Sequence, residues 1–209
     1  MKLIQKSRDE LAFSNALAYF IGEIGIQYFF EKGLKITEST FLNDKYQLYR
    51  EKNNIDISFF GEENVVIIEN KIDADITTNS KTTINSQINR AADLYFDDQC
   101  GISKDTYKNK IQNSIKNFSG DTSQLSKYYI YAFAYLLSKG IDEDDIKNHI
   151  KCFLLIPKYS EKDFKRNNST GCYDSRFLLS EKYKIITYRD ISNDFFKNAT
   201  VNNPKLKIT

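Results

Sequence analysis

The segment Asn54-Ile55-Asp56-Ile57-Ser58-Phe59-Phe60-Gly61-Glu62-Glu63-Asn64-Val65-Val66-Ile67-Ile68-Glu69-Asn70-Lys71 constrains this chain most, because its two apolar strand-like runs carry three charged residues. Ile55, Ile57 and Phe59 alternate up to a Gly61-Glu62-Glu63-Asn64 turn, and Val65 to Ile68 resume after it, which predicts a β-hairpin. A two-residue loop at 62–63 and a four-residue loop at 61–64 give one register, Phe60 with Val65, and so place Asp56 opposite Glu69. Facing Cβ atoms in such a pair lie roughly 4.5–5.5 Å apart, and like charges there destabilise a sheet. Side chains alternate along a strand, so Lys71 shares the face of Glu69 while Asn70 points the other way. The face then holds two acids and one amine. A hard divalent cation such as Mg2+ takes carboxylate oxygens and keeps several waters, and this is the inventory of a metal-assisted phosphodiesterase. The plainer reading is a Glu69–Lys71 ion pair with Asp56 at the frayed start of its strand. The apolar flanks, the shared face and the register weigh against it, because charge is rarely buried without a use.

A chain of 209 residues has the mass of one domain with a substantial core. With 41% hydrophobic and 28% charged residues it belongs among ordinary globular proteins. A net charge of +2 gives no global attraction for polyanions, so a nucleic-acid surface has to come from local clusters. Two segments qualify: 101–119, with Lys104, Lys108, Lys110 and Lys116, and 151–168, with Lys151, Lys158, Lys162, Lys165 and Arg166. Lys197, Lys205 and Lys207 add a basic tail. Either cluster taken alone is more simply a solvated face. Cys100, Cys152 and Cys172 are odd in number and lack Cys-x-x-Cys spacing, which argues against a disulfide framework or a zinc site and for a reducing cytoplasm. No signal-peptide core and no membrane-spanning apolar run is read, so a soluble, unexported protein without a membrane partner is expected.

Along the chain, Ser7 and Glu10 have the form of a capping box, followed by Phe13, Leu17, Phe20, Ile21, Ile24 and Tyr28 at helical spacing. A first helix is predicted over 8–32, bent or split at Gly22 or Gly25 and capped by Gly33. Lys45 to Lys52 reads as a strand turned by Asn53-Asn54 into the hairpin. A second helix follows within 82–98, a short basic helix over 105–118, and an apolar helix over 122–139 with cap candidates at Asp121 to Ser123. A short acidic helix over 141–150, a buried strand at Cys152 to Ile156, a strand at Tyr183 to Tyr188 and a final helix over 191–197 complete the order. The tail from 198 reads as loose.

Asp56 and Glu69-Asn70-Lys71, on adjacent strands between two helices, resemble the PD-(D/E)xK nuclease superfamily. Glu10-x-x-x-Ser14-x-x-Leu17-Ala18, Ile55-Asp56-Ile57, Ile67-Ile68-Glu69-Asn70-Lys71-Ile72 and Gln87-Ile88 are similar to a bacterial and phage-associated family within it. The likeness covers residues 8–96. Ile55 stands where the family name has Pro, and Ala91 stands where the second helix usually carries Tyr, with Tyr95 one turn later. The resemblance implies an α/β (α+β), restriction-endonuclease-like αβββαβ core, a central mixed sheet flanked by helices in one domain over 1–209, with a helical insertion near 100–150. It implies a metal-dependent nuclease acting on DNA in restriction, anti-phage defence or repair. Asp56 and Glu69 would bind Mg2+ or Mn2+, Glu10 would reach the ion directly or through water, Lys71 would orient or deprotonate the attacking water, and Gln87 would position substrate.

Each lesser candidate has a plainer role. Glu10 serves equally well as a capping-box acid, and Gln87 as a polar position on an amphipathic helix. Glu62 and Glu63 read as exposed turn residues, Asp73 and Asp75 as loop residues, and the sole histidine, His149, lacks a partner at ligand spacing. The aromatic run Tyr128 to Tyr135 suits a core helix better than a base-stacking platform. Competing functions are a nuclease fold kept for binding or assembly without catalysis, and an RNA-directed nuclease. Action as a homodimer or with a partner protein is left open.

Overall fold

The computed structural model describes residues 2–72, 83–98, 101–115, 123–157 and 182–197, the side chains of 2–8 excepted. Helix α1 spans Lys2–Ile24 and stops where Gly25 adopts φ 114°, a conformation closed to other residues. A short α2 (Ile26–Tyr28) leads into a wide π-type turn, Phe29–Leu34, closed by Lys35 in the left-handed region. The expected helix over 8–32 is therefore corrected at both ends. It starts before Ser7, so Ser7 and Glu10 cannot form its N-terminal capping box, and it is split at Gly25. Gly33 is no cap: a Cβ there would lie 2.7 Å from the Phe29 ring, so it is a point of close approach.

A short α3 (Ser39–Leu42) precedes strands β1 (Gln47–Lys52), β2 (Ile55–Phe60) and β3 (Val65–Asn70). Asn53 and Asn54 both take positive φ, as a tight hairpin requires. Helices α4 (Ile84–Tyr95), α5 (Lys104–Ser114) and α6 (Gln124–Ser138) follow, with side-chain caps from Thr83, Ser103 and Ser123. Strands β4 (Ile150–Ile156) and β5 (Tyr183–Thr187) lead to α7 (Tyr188–Asp190) and a second π-type turn, Ile191–Phe196. The acidic helix expected over 141–150 shrinks to a 3-10 turn at Ile146–His149. Asp142 Oδ1 accepts the Asp144 amide at 2.9 Å, and such a local side-chain bond competes with helix.

The five strands form one mixed sheet in the order β1-β2-β3-β4-β5, with β1, β2 and β3 antiparallel and β4 and β5 parallel to β3. Helices cover both faces, which is why Val65 to Ile68 of β3 and Cys152 to Ile156 of β4 are continuous apolar runs instead of alternating. Val65, Ile67, Leu154 and Ile185 pack under α4, α5 and α6, and Val66, Ile68, Phe153 and Leu155 pack under α1 and the two π-type turns. The aromatic run of α6 lies in the first of these cores, with Tyr131 and Phe133 fully buried. No helix of the described residues is long and apolar enough to cross a membrane. Cys152 is a free, buried thiol, while Cys100 and Cys172 lie outside the described residues.

Candidate active site

The β2–β3 register is the one the sequence predicts: Phe60 faces Val65 and Ile57 faces Ile68. Continued by one step it sets Asp56 opposite Glu69, but the ladder ends at Ile57, and the strands part there. Asp56 Oδ2 accepts the Asn70 amide at 2.7 Å, replacing the backbone acceptor that β2 would have offered. On its other side β3 stays paired, Lys71 N donating to Leu155 O at 2.9 Å. The acids thus sit at a gap opened on one side of an anchored strand.

Within that gap Lys71 Nζ lies 2.9 Å from Glu69 Oε1, and Gln124 Nε2 donates to the same oxygen. Glu69 is 2% exposed, and its other oxygen, Oε2, is buried without a hydrogen-bond partner among the described residues. An orphaned buried carboxylate oxygen is costly unless something else fills the position. Glu10 approaches from α1, its Oε1 accepting the Ile72 amide at 2.6 Å. Asn70, on the opposite face from Glu69, ties β3 to α1 by donating to Glu10 O at 2.9 Å and Ser14 Oγ at 3.0 Å, and Tyr188 OH donates to its Oδ1.

Electrostatics record the crowding. Burial pushes the Glu69 carboxyl up to about 8, Asp56 adding to the rise and Lys71 opposing it. Burial likewise pushes Asp56 up to about 6, with its hydrogen bond from Asn70 and the Lys71 charge opposing, and Glu51 and Glu10 adding. For Lys71, burial disfavours the ammonium, but the Glu69 charge and hydrogen bond outweigh it and raise its pKa. A carboxyl whose folded pKa is raised binds more protons folded than unfolded, so its contribution is favourable at low pH and is lost as pH rises. Lys71, raised above the ordinary lysine value, is protonated in both states over that range and leaves the slope to the acids. The metal-free protein is therefore expected to lose stability between about pH 4 and pH 8. A displacement of two pH units, as at Asp56, is worth about 3 kcal/mol. Denaturant titrations in EDTA across this window measure the slope, and Glu69→Gln should flatten its upper half. A wild-type profile that rises with pH would contradict the assignment of these acids as buried.

Asp56, Glu69, Lys71 and Glu10 are brought together as the sequence predicts. Gln87 is not placed with them: it is buried in the α4–α6 seam, where its Oε1 accepts from Ser126 Oγ at 3.3 Å. His149 lies at the far end of β3, its Nδ1 3.2 Å from Asn64 Oδ1 and its Nε2 3.3 Å from Asp145 Oδ2. Asp73 and Asp75 fall outside the described residues. Three residues that the sequence did not assign to this site join it. Gln124 comes from the first turn of α6; Tyr128, one turn on, has its hydroxyl pKa raised first by burial and then by Glu69 and Asp56. Glu51, at φ 53° in β1, lies near enough for its charge to raise Asp56. Only the positive φ of Glu51 has local character; the other two depend on how α6 packs.

Among the described residues no three or more His, Cys, Asp and Glu side chains converge as a metal cage. The donors available are carboxylates: Oε2 of Glu69, and Oδ1 of Asp56 once Oδ2 is taken by Asn70. That set fits an oxygen-seeking cation that keeps several of its waters, and does not fit a thiolate or imidazole site. Comparison with protein-family models, curated proteins and solved structures finds no match, so the geometry carries the functional argument.

Proposed function

We propose that the chain is a metal-dependent nuclease hydrolysing phosphodiester bonds of DNA, built on a restriction-endonuclease-like αβββαβ core. The observation that carries this reading is the unpartnered Oε2 of Glu69, buried beside Asp56 and Lys71 at the point where β2 and β3 separate. Asp56 and Glu69 would hold Mg2+ or Mn2+, with Glu10 reaching its waters through the oxygen not used on Ile72. The bound ion would supply Lewis-acid polarisation of the phosphate and a water of lowered pKa. Lys71, held by Glu69 Oε1, keeps its ammonium at the mouth of the gap, where it can orient a water and offset charge on phosphate oxygens. Gln124 shares that oxygen and fixes the carboxylate's rotation, so that Oε2 is presented to the site. Asn70, pinned to α1, fixes the other edge.

The test uses circular single-stranded DNA, circular duplex DNA and RNA, each incubated with Mg2+, Mn2+ or EDTA. Cleavage of DNA in either metal and none in EDTA is expected, and circular substrate separates endonuclease from exonuclease action in the same gel. Cleavage confined to RNA would transfer the reading to ribonucleic acid. Equal activity with and without EDTA would end it.

A further inference from the structure

Of the four described lysines in the two basic segments read from sequence, Lys104, Lys108, Lys110 and Lys151, all but Lys108 are held in ion pairs. Lys104 Nζ lies 2.7 Å from Asp93 Oδ1, Lys110 Nζ 3.1 Å from Glu143 Oε2, and Lys151 Nζ 2.7 Å from Glu38 Oε1. Each of these cations already has an acid. Lys116, Lys158, Lys162, Lys165, Arg166, Lys205 and Lys207 lie outside the described residues, and Lys197 Nζ donates to Asn193 Oδ1 at 3.0 Å.

A different pair of cations stands next to the acid site. On α6, Gln124, Lys127, Tyr128 and Tyr131 recur at i, i+3, i+4 and i+7 and so occupy one stripe. The first of them touches Glu69. Lys127 Nζ lies 5.4 Å from the Tyr128 ring centroid and 5.7 Å from that of Tyr131, so the ammonium is held over two rings by its own helix. Across the seam, Arg90 lies one turn beyond Gln87 on α4, and the Gln87–Ser126 hydrogen bond fixes the two helices at that level. Arg90 therefore faces the Lys127 level from the neighbouring helix. The Lys127 ammonium is disfavoured first by burial and then by the Arg90 charge, with Glu69 opposing. Tyr131 adds a buried hydroxyl with no hydrogen-bond partner among the described residues, and the Arg90 charge reaches it as well.

Two cations at one level of neighbouring helices, with a buried hydroxyl left over beside them, form a site without an anion among the described residues. Glu69 makes its ion pair with Lys71, at 2.9 Å, and among the described residues forms none with Lys127 or Arg90. We propose that Arg90 and Lys127 form a subsite for a phosphodiester phosphate of the nucleic-acid strand, seating it on the α4–α6 side of the acid cluster; this rests on the nuclease reading of Asp56, Glu69 and Lys71. The plainer role for Lys127, a stem packed over tyrosines, would affect stability and leave nucleic-acid binding unchanged.

The experiment measures binding of a labelled DNA duplex in EDTA, where cleavage is silent, across a series of salt concentrations. Wild type is compared with Arg90→Ala, Lys127→Ala, Lys127→Arg and the distant surface variant Lys147→Ala, with pyrophosphate as a second ligand. Arg90→Ala and Lys127→Ala should each weaken duplex binding about tenfold and flatten the slope of log affinity against log salt by about 0.9. Lys127→Arg should retain most of the affinity, and Lys147→Ala should match wild type. Unchanged slopes in both alanine variants overturn the subsite, as does a wild type that binds neither duplex nor pyrophosphate. Thermal unfolding identifies a variant that has failed to fold, and the exposed Arg90 then carries the measurement. If binding depends on both cations but no metal supports cleavage, the subsite stands and the nuclease reading falls. If a protein carrying both Arg90→Ala and Lys127→Ala cleaves DNA with an unchanged KM, the reverse holds.

Discussion

Glu69→Ala and Lys71→Ala proteins are expected to fold and to lose DNA cleavage by about a thousandfold or more. Removal of one well-aimed charge-stabilising group or one proton-handling group costs on the order of 10²–10⁴ in rate, and Glu69 controls both the unpartnered Oε2 and the placement of Lys71. The pair is buried, Lys71 being 8% exposed, so each substitution leaves its partner in a different electrostatic setting. Glu69→Gln therefore accompanies Glu69→Ala: it keeps the volume, removes the charge, and should be equally inactive. Circular dichroism and denaturant midpoints establish folding, and single-turnover assays in Mn2+ give the rate. Added Mn2+ is expected to raise the stability of wild type as pH climbs through about 6 and about 8, where Asp56 and then Glu69 shed their protons, and Glu69→Ala should lose that rise. Variants that fold normally and cleave within tenfold of wild type would refute the assignment.

The second large effect belongs to Asp44, far from the acids along the strands. Its Oδ1 accepts the Lys45 amide at 2.7 Å and the Glu62 amide at 2.9 Å, and its Oδ2 accepts the Glu63 amide at 3.1 Å, the Asn64 amide at 2.8 Å and Asn64 Nδ2 at 3.0 Å. One carboxylate thus holds the whole β2–β3 turn. Gly61 is matched to it, because a Cβ at that position would lie 2.2 Å from Asp44 Oδ2. Asp44→Ala is expected to cost about 3–5 kcal/mol, since a hydrogen bond to a charged acceptor is worth about 1.5–3 kcal/mol and the Asn64 amide is left buried and unpaired. Asp44→Asn should recover part of the loss, because an amide oxygen still accepts. Urea denaturation measures both. The same turn sets the register that brings Asp56 opposite Glu69, so cleavage by the folded fraction of Asp44→Ala should also fall. A loss below about 1 kcal/mol would show that the turn holds its shape without Asp44.

Much of the site was legible because it is local. Sixteen residues span Asp56 to Lys71, and strand alternation plus a turn between Gly61 and Asn64 suffice to place three side chains on one face. Helix α6 was also readable, since Ser123 caps it and its apolar run is too long for a strand. Where local rules compete, the reading failed: the Ser7–Glu10 box sits inside a helix that begins at Lys2, and Asp142 diverts the next segment into a turn. The π-type turns at Phe29–Leu34 and Ile191–Phe196 had no sequence signal; they bring Phe29 and Phe195, far apart in the chain, edge-on at 5.0 Å.

The sequence by itself determined the hairpin, its register and the row of Asp56, Glu69 and Lys71, because hydrophobic alternation and turn chemistry act over a few residues. Tertiary structure decided what surrounds that row. Gln124 lies 55 positions from Glu69, and Glu10 62 positions from Ile72, separations at which no periodicity relates residues. Packing α6 and α1 against opposite faces of β3 delivers one to the carboxylate and the other to the strand end. The same packing pairs Lys104, Lys110 and Lys151 with distant acids and, among the described residues, gives Arg90 and Lys127 none, because a charge finds its partner through space and not along the chain.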